Sequence, residues 1–210
     1  MCQSGTLKKR IWQYPLLSIL SVCMSLLPLV TARASGSTTF SSSRKLLLKQ
    51  AQLPAHYRYR SSNVIDSVLD WDQNIRPVYQ VDIKNGWLEG AQEFMRDPKG
   101  KDAGLSVQLF RTHSGAMSDF GSFFTNAHPE TIYVPGQHWL GGIAVSGIGD
   151  RATLYRVSDS ASMCPSELLA GLSYVFRNAL FSVQVCLHTV GESGARNLAL
   201  KLLSHARTVH

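Results

Sequence analysis

The sequence predicts an α+β domain, an antiparallel sheet with amphipathic helices packed on one face. Three observations point there. Several segments alternate apolar and polar residues, two repeat apolar residues at helical spacing, and the links between extended segments are shorter than the dozen or more residues a parallel crossover needs. A sheet that is apolar on one side has to bury that side, and helices with an apolar stripe are its natural cover.

Each element has its own signal. Ser43 is placed to cap a helix running to about Gln50, with Leu46, Leu47 and Leu48 as its apolar surface, and Pro54 ends any continuation. Val64, Ile65, Val68 and Leu69 suggest a second short helix over Asn63 to Trp71. Val78 to Ile83 and Trp87 to Arg96 read as strands joined by Asn85-Gly86, a hairpin signal. Asp97 to Gly104 is rich in turn residues, after which Leu105, Val107 and Leu109 alternate as a strand does. From Ser114 the period changes. Ala116, Phe120, Phe123, Phe124 and Ala127 form a helical stripe, in which Gly121 costs about 1 kcal/mol and allows close packing.

Thr131 to Val134 and Ala152 to Val157 are further strand expectations. Leu169 to Arg177 and Leu180 to Thr189 read as a hairpin around Asn178-Ala179, with Phe176 facing Phe181, Tyr174 facing Val183 and Leu172 facing Val185. On the other face that register sets Gly171 against Cys186. The last element is the clearest. Ser193 is expected to cap a helix striped by Ala195, Leu198, Ala199, Leu202, Leu203 and Ala206, with Lys201, His205 and Arg207 near its end, where the helix dipole favours positive charge.

Ahead of these elements stands an address. Lys8, Lys9 and Arg10 precede an apolar stretch from Ile11 to Val30, and Ala32-Arg33-Ala34 supplies small residues for cleavage after Ala32 or Ala34. Residues 1–34 read as a signal peptide, Ser35 to Ser43 as a flexible Ser/Thr-rich tether, and 44–210 as one α+β domain. The rival reading is an uncleaved helix that anchors the chain in a membrane. Lys8, Lys9, Arg10 and Arg33 leave with the signal, so 21 basic residues become 17 against 14 acidic ones and the net charge falls from +7 to +3. The remaining basic residues are scattered among acids, which argues against a nucleic-acid partner.

Cys2 and Cys23 lie in the signal, which leaves Cys164 and Cys186 as the pair in an exported protein. In an oxidising compartment they are expected to join, closing a loop of about 22 residues worth roughly 3 kcal/mol on the loop-entropy account. Leu53-Pro54 after a short helix, a Gly86-Trp87 strand ending in Phe94, Gly149-Asp150 ahead of a strand and Phe176-Arg177-Asn178 at a hairpin make a loose pattern. On these motifs the chain resembles uncharacterised bacterial exported proteins and lipoproteins with a PsbP- or LpqN-like fold. That resemblance implies a PsbP-like α/β sandwich and a non-enzymatic binding or accessory role.

Catalytic and metal signatures are sparse. The seven histidines show no pair at ligand spacing with a carboxylate and there is no Cys-x-x-Cys, so no metal or cofactor is expected. Asp70 to Asn74 begins like a calcium loop but has Ile75 and Val81 where Gly and Glu belong. Gly147-Ile148-Gly149-Asp150 reads as a turn fixed by Asp150. Function is expected in the segment His128 to Gly142, where His128, Tyr133, Gln137, His138 and Trp139 sit among glycines and prolines as a loop suited to a small ligand, a glycan or an envelope protein. Trp139 plugging the core is the competing role. The leading expectation is a secreted, non-enzymatic ligand- or partner-binding module at the cell surface. The alternatives are an extracytoplasmic hydrolase pairing His128 or His138 with Asp119 or Asp150, and an accessory subunit of an envelope complex.

Overall fold

The computed structural model describes residues 39–55, 57–71, 76–96, 102–125, 137–159, 164 and 168–210, with the side chains at 71, 76–79, 102, 125, 137, 138 and 159 left aside. The expected signal peptide, the first part of the tether and the strand expected at 131–134 lie outside these residues. Among the described residues, seven strands form one antiparallel sheet: β1 Arg58–Ile65, β2 Trp87–Arg96, β3 Asp102–Phe110, β4 Gln137–Val145, β5 Arg151–Asp159, β6 Leu168–Phe176 and β7 Ala179–Cys186. Their order is β1-β2-β3-β7-β6-β5-β4, two meanders joined where β3 pairs with β7. The described residues also form four α-helices: α1 Val68–Trp71, α2 Arg76–Asn85, α3 His113–Thr125 and α4 Gly191–Thr208.

The helices do not share one face, as the sequence reading expected. The α4 stripe packs with Leu105, Val107, Leu172, Tyr174, Phe181, Val183 and Val185. Ala116 and Phe120 of α3 pack instead with Val175 and Leu180, which point the opposite way because side chains alternate along a strand. The sheet is therefore covered on both faces. A sequence signal for this exists in β6, where Leu168-Leu169-Ala170-Gly171-Leu172 lacks the polar alternation of a one-sided strand and almost every residue is buried.

Four other expectations change. Val78 to Ile83 lies in α2, and Gly86, at φ 80°, follows that helix as its left-handed terminator, its N–H on Ile83 O at 3.0 Å. A short apolar run does not by itself separate strand from helix. Asn63 lies in β1, so only Val68–Trp71 of the expected second helix is helical. The helix expected from Ser43 is replaced by two 3₁₀ turns, Arg44–Leu46 and Gln50–Gln52. The consecutive Leu46, Leu47 and Leu48 are all buried, which one face of an α-helix does not permit. Finally, α4 begins at Gly191, so Ser193 lies inside its first turn and does not cap it.

The β6–β7 hairpin keeps its predicted faces but shifts its register by two residues. Phe176 pairs with Ala179, Tyr174 with Phe181, Leu172 with Val183 and Leu169 with Cys186, so the loop is Arg177-Asn178, with Arg177 at φ 55°. Asn178 is held in the loop by a different task. Its Oδ1 accepts Phe40 N–H at 2.7 Å and its Nδ2 donates to Phe40 O at 3.2 Å and Phe110 O at 2.8 Å. Phe40 is buried, and Arg177 lies over both its ring and that of Phe176. Residues 39–43 are thus packed against the domain and are not a tether. The strap they begin crosses the α4 face and adds Leu46, Leu47, Leu48, Leu53 and Tyr57 to the main core.

Cys164 and Cys186 are joined, with Cα atoms 5.4 Å apart across 22 residues. The Gly147 to Asp150 turn also stands. Gly149 has φ 60°, and a Cβ there would meet Val175 O at 2.2 Å. Asp150 donates its N–H to that carbonyl at 2.7 Å, while its carboxylate accepts Arg177 N–H at 3.3 Å. Gly121 has open space where its Cβ would be, so close packing is not its role.

Candidate functional site

The strand registers bring together residues that no local motif marks. Asn63 pairs with Gln92, Gln92 with Ser106, Ser106 with Ser182, Ser182 with Ser173, Ser173 with Thr153 and Thr153 with Ala144. One straight row crosses all seven strands on the α3 face, and every position but the last carries a hydroxyl or a carboxamide. None is charged. Ser173 is 4 % exposed, Gln92, Ser106, Ser182 and Thr153 are half-buried, and Asn63 at the β1 edge is exposed.

The next row toward the disulfide runs Ser61, Phe94, Gly104, Gln184, Gly171, Tyr155 and Gly142. Its glycines remove side-chain bulk from three strands. Into that space comes the Tyr155 ring, which a Cβ on Gly171 would meet at 2.1 Å. The tyrosine hydroxyl then reaches the polar row, lying 3.2 Å from Ser182 Oγ and accepting from Gln184 Nε2 at 3.3 Å, while Ser173 Oγ donates to Ser182 Oγ at 2.9 Å. On the other side of the row, Gln108 Oε1 is buried with no hydrogen-bond partner.

Aromatic rings wall the β4 end of this surface. Trp139 stacks on Tyr155, centroids 5.4 Å apart at 24°, and Phe124 of α3 lies 5.8 Å from Trp139 and 5.7 Å from Tyr155. Trp139 is half-buried, so its ring packs and keeps an accessible part. Gly142 allows this position, because a Cβ there would stand 3.0 Å from the indole.

Of the residues expected to bind, His128 and Tyr133 lie outside the described residues. Gln137, His138 and Trp139 are brought together, not in a loop but in β4, paired with Asp159, Ser158 and Val157. The hydrolase constellation fares differently. Asp119 is buried between helices, accepting from Asn85 Nδ2 at 3.0 Å; burial raises its pKa, and hydrogen bonds from Asp82 and Asn85 oppose that rise. It joins α2 to α3. Asp150 has a histidine 3.8 Å away, but it is His113, whose Nδ1–H donates to Arg177 O at 2.7 Å. Both groups fasten the Arg177 turn. Among the described residues no three His, Cys, Asp or Glu side chains converge as metal ligands, and no helix is long and apolar enough to cross a membrane.

No family model matches the chain, and no curated protein does. A search of solved structures finds the extracellular domain of PknH from Mycobacterium tuberculosis, with a TM-score of 0.53, 11 % identity, and coverage of 82 % of this chain and 99 % of that one. At that identity the likeness is one of fold: this chain shares the architecture of an extracellular bacterial domain.

Proposed function

We propose that the chain is an extracytoplasmic, non-enzymatic binding domain that takes an uncharged, hydroxyl- or amide-bearing ligand on the α3 face. The observation that carries this reading is the row from Asn63 to Thr153, an unbroken line of neutral hydrogen-bonding side chains on a sheet face that elsewhere packs apolar residues. A neutral ligand exchanges its water contacts for these groups without stranding a buried charge. Trp139 and Phe124, half-buried against the Tyr155 ring, supply the flat apolar surface on which a sugar ring or a planar amide rests. His128, Tyr133, Gln137 and His138 stay within the proposal as ligand contacts.

The disulfide, a fold shared with an extracellular domain and the N-terminal signal pattern support the extracytoplasmic address. The finer likeness to the PsbP and LpqN kind belongs to this proposal too. Its motifs Gly149-Asp150 and Phe176-Arg177-Asn178 touch one another through Arg177 N–H and the Asp150 carboxylate, so they preserve fold and carry no chemistry.

The test is a titration of neutral oligosaccharides, and of their sulfated counterparts, against the protein, followed by tryptophan fluorescence. Saturable change with the neutral set, lost in Ser182→Val, is expected. Preference for the sulfated set, or equal response in the variant, would refute the neutral floor. Turnover in a general extracellular hydrolase panel would refute the non-enzymatic part.

A further inference from the structure

The α4 face holds a buried carboxyl that its surroundings do not explain. Glu93 of β2 is paired with Ser62 and Leu105 and flanked on the same face by Ala91 and Met95, both fully buried. It is 1 % exposed, and neither carboxyl oxygen has a hydrogen-bond partner. The strap meets it at Leu48, whose backbone N–H acts on the carboxyl. Burial pushes the carboxyl up to about 7 from an ordinary 4.5, against a smaller opposing pull from that N–H.

The strap packs on the core without joining the sheet. Residues 39–53 contain two 3₁₀ turns and no strand. Its polar ties to the rest of the domain include Phe40 to Asn178, Ser43 N–H to the Glu89 carboxylate, the Gln50 side chain to Tyr57 O and Tyr59 N–H, and two to His205. Gln52 Oε1 accepts Lys49 N–H at 2.8 Å, which turns its Nε2 toward His205 Nδ1 at 2.9 Å. The other ring nitrogen donates to Lys45 O at 2.9 Å. Within the strap, Ser43 Oγ is also buried without a partner.

Arg44, Lys45 and Lys49 of the strap are exposed, as are Arg58 and Arg60 of β1. Glu89 of β2 is engaged by Ser43, the β3 neighbours Ala103, Leu105 and Val107 carry no charge, and from α4 His205 is engaged by the strap while Lys201 and Arg207 are exposed. We propose that residues 39–53 form a pH-governed latch over the α4 face, held shut by the protonated Glu93 carboxyl and loosened when that proton passes to solvent.

The direction follows from linkage. The closed strap keeps the proton between about 4.5 and 7 while the open strap, with Glu93 in water, does not. The closed-to-open ratio is therefore greatest in acid, falls roughly tenfold per pH unit across that window and is level above it. Hydrogen-exchange protection, corrected for intrinsic rates, reads this at the amides of Leu46, Leu47 and Leu53, which are bonded within the strap's turns. Leu172 and Tyr174 of β6 serve as reference. From about pH 5 to 7 the strap amides should lose protection roughly tenfold per unit while the β6 amides hold. Glu93→Gln should flatten the profile, and Glu93→Leu, of similar reach, serves if the amide variant does not fold. Equal slopes in wild type and variant, or loss in β6 in step with the strap, would overturn the latch; so would a flat wild-type profile, which needs no variant at all.

Discussion

The two faces of one sheet are built to opposite rules. The α4 face is a continuous apolar layer from Ala91 and Met95 on β2 to Ala152 on β5, closed by α4 and the strap, with a single buried carboxyl among its members. The α3 face is divided. One apolar cluster gathers around Phe120 and Leu180 and another around Tyr155 and Val157, and between them runs the uncharged polar row. The same strands supply both faces, so the difference lies only in alternate residues. The first buries most of the apolar side chains, while the second keeps partly exposed polar groups, the ones the proposed binding role uses.

Substitutions that respect this division should separate it. Phe181→Ala removes a fully buried ring stacked 4.8 Å from Tyr174 on the α4 face, and denaturant unfolding should show a loss of about 3–5 kcal/mol. Reducing the Cys164–Cys186 bond should cost about 3 kcal/mol without displacing either helix, measured as a shift in the unfolding midpoint with secondary structure retained. Gly171→Ala forces the Tyr155 ring aside and should cost about 1–3 kcal/mol, with the Trp139 emission changing because its stacking partner moves. Ser182→Ala, in the polar row, should cost less than about 1 kcal/mol yet weaken neutral-ligand binding. A large stability loss in Ser182→Ala would mean that the row is core after all, and the contrast between the faces would fail.

Much of the scaffold was legible. The α4 stripe is buried at all six predicted positions, α3 starts one residue before the expected Ser114, β2, β3 and β5–β7 stand where alternation put them, and the two cysteines meet. These signals are periodic and local. The misreadings share a cause. Leu46 to Leu48 and Val78 to Ile83 are apolar runs too short to declare a period, and their conformations were settled by what they pack against. Phe40 gave no local sign at all, since a single aromatic in a Ser/Thr tract enters the core only because Asn178, 138 residues away, satisfies its backbone.

The candidate site divides in the same way. Trp139 stood out by its type, and its double role as packed ring and partly accessible wall follows from its place on an edge strand. Ser106, Ser173, Ser182 and Gln92 were unremarkable in sequence, each a small polar residue in an otherwise apolar strand. Their alignment depends on β3 pairing with β7 and on the two-residue shift of the β6–β7 hairpin. From the sequence by itself came the face each residue takes, because side-chain alternation is a property of the single strand. Only the tertiary structure decided which residues stand abreast, since register is set by long-range pairing and by what each face must bury. It also decided that a segment read as a tether is a strap across the core, meeting a carboxyl whose surroundings no local pattern reveals.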